Sequence, residues 1–185
     1  RMAVAQGDWA AAQAVVAHYR KADKPLAAYF AAVLALERGD PSAAAAEVDV
    51  LRQAVQRSKK DKAAELRLWE VQGRLMCRTG QGEAGCKLIR RAVEKTKDDY
   101  AHHAWAGGAV YMEAWGDAAL EAGRADDAAE AFQEALAHDA GSVRGALGMA
   151  ALAKRLGRTE EAERYRKLAR KCWAKADAAD FDRLK

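Results

Sequence analysis

Few side chains in this chain are suited to making or breaking bonds. Three cysteines (Cys77, Cys86 and Cys172) and an adjacent pair, His102-His103, stand out among 185 residues. Zinc or haem chemistry would need Cys-x-x-Cys, Cys-x-x-Cys-His, or histidines four apart on one helix face. None of these spacings occurs, and adjacent histidines point to different sides of a helix. The expectation is therefore no metal site and no cofactor. Acyl and phosphoryl transfer find no support either. There is no Gly-x-Ser-x-Gly elbow, no phosphate-cradling glycine loop and no His-Glu-x-x-His motif. Ser42, Ser58 and Ser142 all fall at turns or caps. The chain reads as a non-enzyme. His102, His103 and Trp105 remain as a candidate specific contact, in a stretch that also holds Tyr100, Tyr111 and Trp115. Packing is the commoner use of such aromatics.

Charge offers a second kind of chemistry. The net charge is only +4, but it is segregated. Residues 109–142 carry eight acids and one base, net −7, and residues 143–176 carry ten bases and three acids, net +7. Adjacent opposite blocks attract one another, or steer a partner of mixed charge, or promote self-association. Arg164, Arg166, Lys167, Arg170 and Lys171 form a basic stripe of the kind phosphates require. Its acidic neighbour and the small total charge argue against nucleic acid as the partner.

The elements that position these groups are helices. Alanine fills 47 positions, against one isoleucine and three threonines. Alanine is the best helix former and β-branched residues favour strands, so the composition argues against all-β and Rossmann-like folds. No apolar run approaches the roughly 18 residues a membrane span needs. Gly39, Gly80, Gly123 and Gly157 each follow an apolar helix-like segment, at spacings of 41, 43 and 34, and Gly7 precedes Gly39 by 32. Asp8, Asp23 before Pro25, Asp40 before Pro41, and Thr159 are cap candidates, and a helix restart is expected at Asp61. A period in the thirties built from helix-turn-helix units marks a helical solenoid.

The units resemble the tetratricopeptide repeat. In residues 109–142 the resemblance rests on Gly116, Ala119, Gly123, Ala128, Phe132 and Ala135. Residues 143–176 carry Ala150, Ala153, Gly157, Ala162 and Ala169. Residues 66–99 carry Trp69, Gly73, Met76, Gly80, Gly85, Ile89 and Ala92, and residues 25–58 carry Ala32, Ala35, Gly39, Ala44, Val48 and Leu51. The resemblance implies an all-α, right-handed solenoid of antiparallel helix pairs, as one domain over 1–185. It has a half repeat at 1–24, the four full repeats 25–58, 66–99, 109–142 and 143–176, and a capping helix at 177–185. Opening inside a repeat, the chain reads as a piece of a longer protein. Two steps exceed 34, by seven residues near 58–62 and by nine near Tyr100–Gly108. The second insertion is expected to lengthen the next helix or to form a separate turn.

In the family resembled, first helices line a concave groove that commonly binds peptides. The corresponding offsets here hold Tyr29 and Val33, then Arg67, Glu70, Arg74 and Arg78, then Glu113 and Asp117, then Arg144 and Arg155. The family's clamp for C-terminal carboxylates uses lysine and asparagine. This chain has no asparagine, which argues against that specificity. The expected function is a protein-interaction module or scaffold docking a peptide or partner surface. A regulatory or assembly segment of a larger enzyme or secretion complex, and a self-associating repeat protein, are the alternatives. Sparse cysteines favour the cytoplasm slightly. A periplasmic or secreted location stays open, because a chain that starts at Arg1 says nothing of a removed leader.

Overall fold

The computed structural model describes residues 7–58, 61–97 and 107–174, and these form helices and short turns without a strand. In order they are α1 (Trp9–Ala22), α2 (Lys24–Glu37), α3 (Pro41–Arg57), α4 (Lys62–Arg78), α5 (Gly82–Lys97), α6 (Gly107–Glu121), α7 (Ala125–His138), α8 (Val143–Arg155) and α9 (Thr159–Cys172). Four hairpins, α2–α3, α4–α5, α6–α7 and α8–α9, follow the single helix α1. Each first helix also packs on the first helix of the next hairpin, which makes the array a solenoid. His102, His103, Trp105, the rest of the Tyr100–Gly108 insertion up to residue 106, and the 177–185 tail lie outside the described residues.

Short-range signals set the helix ends. Asp8, Asp23, Asp40, Asp61 and Ser142 each accept the backbone N–H three residues on, at 2.9 Å in every case. These caps satisfy donors that the first helical turn leaves unpaired. Pro25 and Pro41 occupy first turns, where no amide hydrogen is needed. Thr159 departs from expectation. It is the first residue of α9, and its N-cap, Arg158, offers no side-chain acceptor. Glu160 and Glu161 there complement the positive end of the helix instead.

Within the hairpins one turn recurs four times. Gly39, Gly80, Gly123 and Gly157 adopt φ of +73°, +85°, +71° and +73°. The next residue's N–H returns to the preceding helix: Asp40 to Ala35 O, Gln81 to Met76 O, Arg124 to Ala119 O and Arg158 to Ala153 O, at 2.8–2.9 Å. This is the glycine-terminated helix end, which reverses the chain within a few residues.

Small residues bring the paired helices close. A Cβ on Gly73 would lie 2.4 Å from Ile89 Cγ1, and one on Gly85 would lie 2.5 Å from the Gly73 carbonyl. Phe132 fills the space left by two glycines. A Cβ would come within 2.4 Å of its ring at Gly116 and 2.3 Å at Gly148. One aromatic ring therefore joins α7 to first helices in two successive hairpins. Ala32, Ala35, Ala119, Ala128, Ala150 and Ala162 are buried, whereas Ala43 and Ala46 face solvent. The core runs in two main clusters. One spans α2 to α4 around Leu36, Leu51 and Val71, and the other spans α4 to α8 around Ile89, Trp115 and Phe132.

Two substitutions test this packing by urea unfolding monitored by circular dichroism. Gly85→Val should cost about 1–3 kcal/mol by overpacking. Phe132→Ala should cost about 3–5 kcal/mol. A Gly85→Val chain as stable as wild type would show that the α4–α5 approach is not tight.

Candidate functional site

A row of polar contacts runs along the first helices and ties each to the next. It starts at α2. Tyr29 Oη donates to Glu70 Oε2 at 2.7 Å, and Arg74 Nη2 donates to Glu37 Oε1 at 2.5 Å. Arg74 also stands 3.9 Å from Glu70. Between α4 and α6, Arg78 grips Glu121 with two bonds, Nε at 2.8 Å and Nη2 at 2.7 Å. Between α6 and α8, Arg144 donates to Asp117 at 2.6 Å, Ser142 Oγ donates to Glu113 at 2.8 Å, and Arg155 donates to the Leu120 carbonyl. Signs alternate so that each helix's charges meet their opposites on the neighbour.

Burial divides this row into two parts. Around α2 and α4 it is inside the protein: Glu70 is 0% exposed, Arg74 7%, Tyr29 6% and Val33 7%. Glu70 and Arg74, expected to line a groove open to a partner, are instead sealed between helices. A buried carboxylate survives only when paired and hydrogen-bonded, and Tyr29 and Arg74 serve that need. Arg67 is half-buried, with its guanidinium 6.0 Å from the Tyr29 ring centre. Toward the C-terminus the row opens. The Arg78 and Glu121 side chains are 21% and 45% exposed, and Arg144 and Asp117 are 39% and 31% exposed. Glu113 is half-buried and Arg155 is exposed.

The electrostatics follow the geometry. Burial alone would raise the Glu37 carboxyl, but the charge and hydrogen bond of Arg74 outweigh it. With Arg144 and Arg78 adding, Glu37 sits below the usual carboxylate range. Burial alone would lower Arg74. Glu37, Glu70 and Asp117 offset that and hold its guanidinium above its ordinary value. These groups from α2, α4, α6 and α8 act as one network.

The second helices carry a parallel set of pairs. Arg20 of α1 bonds Glu47 of α3, Arg90 of α5 bonds Glu130 of α7 at 2.6 Å, and Lys97 bonds Glu134 at 2.9 Å. The acidic block at 109–142 therefore meets bases from the hairpin before it. From the basic block that follows, Arg144 reaches back to pair with Asp117. Ser142 and the Arg90 and Lys97 bonds were not among the contacts that the sequence singles out, whereas Glu37 falls at the end of the first groove band. Cap chemistry flagged Ser142 only as a helix start. No motif signals that its hydroxyl also reaches Glu113.

Among the described residues, no group of three or more metal-binding side chains converges, and no helix is long and apolar enough to cross a membrane.

The fold and this inter-helix row define a helical repeat protein. Residues 119–171 match the family model described as tetratricopeptide repeat. Among solved structures it is similar to "MamA AMB-1 C2221", with a TM-score of 0.53 and 16% identity over 91% of this chain and 99% of that one. It is also similar to a structure of a MamA point mutant, with a TM-score of 0.51 and 16% identity over 93% and 97% of the two chains. At that identity the likeness is one of fold. No curated protein matches the chain.

The buried end of the row supports two predictions. Arg74→Met should cost about 3–5 kcal/mol, because it removes the buried guanidinium that pairs with Glu37 and faces Glu70; denaturant unfolding measures this. Glu37 binds protons more weakly folded than unfolded, so its stabilising share is full above the unfolded carboxylate value, about 4.3. That share is lost as the pH falls through the lower folded value. The acid-side decline of melting temperature should be shallower in Glu37→Gln than in wild type. Identical acid profiles would remove Glu37 from the network.

Proposed function

We propose that the chain is a non-catalytic protein-interaction module that docks a peptide or partner surface in the concave groove of its first helices. The observation that carries this reading is the graded burial of the polar row. At α2–α4 its charges are sealed and serve the fold. From Arg78 to Arg155 they stay partly hydrated, carry both signs and lie on successive first helices. Partly exposed pairs exchange partners at little cost, since an exposed ion pair is worth about 0–1 kcal/mol. The α6–α8 surface thus suits a partner segment that bears both acids and bases. The docking residues are Arg78, Asp117, Glu121, Arg144 and Arg155, with Glu113 and Arg67 at the margins. Glu70, Arg74, Tyr29 and Val33 shape the groove from beneath. Such a module serves equally as the assembly segment of a larger complex.

Self-association through the charge blocks is the weaker reading. Asp117, Glu121, Asp127, Glu130 and Glu134 of the acidic block already pair within the chain. Nucleic acid is also disfavoured by these acids beside the basic stripe.

The test is affinity capture with the full chain, identification of the bound protein by mass spectrometry, and calorimetric titration against three variants. Glu121→Lys and Arg155→Glu should each weaken binding by about tenfold or more, with unchanged circular dichroism. Lys167→Glu on the outer helix α9 should leave binding intact. Binding lost in Lys167→Glu and kept in both groove variants would move the interface to the convex side.

A further inference from the structure

Cys77 of α4 and Cys86 of α5 face each other where those helices cross. Their sulfurs lie 3.8 Å apart, both thiols are free, and the residues are 8% and 2% exposed. Gly85 makes room for this meeting. A Cβ at that position would lie 2.6 Å from Cys77 Sγ and 2.9 Å from Cys77 N. The two sulfurs are thus held in contact by the same small-residue crossing that builds the hairpin. A disulfide needs about 2.0–2.1 Å between sulfurs, so closure asks for about 2 Å of approach.

The two thiols are not equivalent. Either thiol can donate to the other; with Cys77 as donor the hydrogen bond stabilises negative charge on the Cys86 sulfur, and the Arg124 charge adds to this. Together they outweigh burial and Asp127, and favour the thiolate at Cys86. Cys77 is pushed the other way, by that same hydrogen bond, by burial and by the negative charge on Cys86. Its S–H has a second acceptor in the Gly82 carbonyl, 3.6 Å away. One sulfur is favoured as the thiolate and the other as its protonated neighbour, and the thiolate is the form that attacks in thiol oxidation and exchange. Neither takes part in the inter-helix polar row.

We propose that Cys77 and Cys86 form a peroxide-responsive pair that closes to an intramolecular disulfide across α4 and α5. The oxidant is hydrogen peroxide or another small hydroperoxide, which suits sulfurs so little exposed. The Cys86 thiolate attacks the peroxide. A sulfur–oxygen bond forms, the oxygen–oxygen bond breaks, and the departing hydroxide takes a proton to become water. Cys86 is then a sulfenic acid. Cys77 sulfur attacks Cys86 sulfur, the sulfur–oxygen bond breaks, and hydroxide leaves as water with the Cys77 proton. Two thiols lose two electrons and one peroxide becomes two waters. The product staples one hairpin in the middle of the array and suppresses its local opening.

The experiment treats the folded full chain with hydrogen peroxide, blocks remaining thiols after unfolding, and maps the peptides. Cleavage after lysine and arginine should yield Leu75–Arg78 joined to Thr79–Lys87, lighter than the separate peptides by two hydrogen atoms. Cys172, which is exposed, should be the thiol still open to blocking. Cys172→Ser should leave the crosslink intact. In Cys77→Ser, the sulfenic acid at Cys86 should accumulate and be captured by dimedone. Amide exchange across α4 and α5 should slow in the oxidised chain and recover on reduction. The proposal is overturned if Cys77 and Cys86 both stay blockable while peroxide is consumed elsewhere. Oxidation of Cys86 to sulfinic acid with Cys77 still free overturns it as well. The Cys172→Ser chain keeps these outcomes readable even if Cys77→Ser fails to fold.

Discussion

The closest approach between helices sets the geometry of this protein. At the α4–α5 crossing the Gly73 carbonyl occupies the space that a Cβ on Gly85 would need. Phe132 lies against Gly116 and Gly148 just as closely. Backbones this near can be reached only where side chains are missing or small. The rest follows from the approach. Close pairing presents a compact second face, so each first helix lies against the next. That stacking gives Ile89, Trp115 and Phe132 a common core, because a single helix pair cannot bury its own apolar face. It also brings Cys77 and Cys86 into contact.

The same stacking changes what charge does. On an isolated surface helix, Glu70 and Arg74 would be solvated and nearly interchangeable with other polar residues. Between α2 and α4 they become a buried network with Tyr29 and Glu37, where losing one member strands another. Farther along, Asp117 and Arg144 keep contact with water. One pattern of alternating charge thus has a structural end and an adaptable end. This difference separates residues that shape the groove from residues able to receive a partner.

Much of the fold was legible because it depends on short-range rules. Asp8, Asp23, Asp40 and Asp61 cap helices since an aspartate before a helix accepts the amide three residues on, whatever the tertiary surroundings. The turn glycines announce themselves by needing a left-handed backbone. Thr159 shows the limit of this reasoning. A suitable cap residue was present, but the turn after Gly157 placed it one position inside the helix. The site was less legible. A helical offset says which face of a helix a residue occupies, and not how near the neighbouring face comes. Glu70 and Glu113 share an offset, yet the first is sealed and the second is half-buried.

By itself the sequence determined that the chain is helical, where its hairpins reverse, and some of the small residues that meet at the crossings, Gly73 and Gly116 among them but not Gly148. Alanine content, cap residues and glycine spacing act locally along the chain, so they are readable there. Tertiary structure alone decided which charges pair, which are sealed from water, and that two cysteines nine residues apart in sequence touch across a helix crossing. Those outcomes depend on distances between helices, set by the packing of every hairpin on the next.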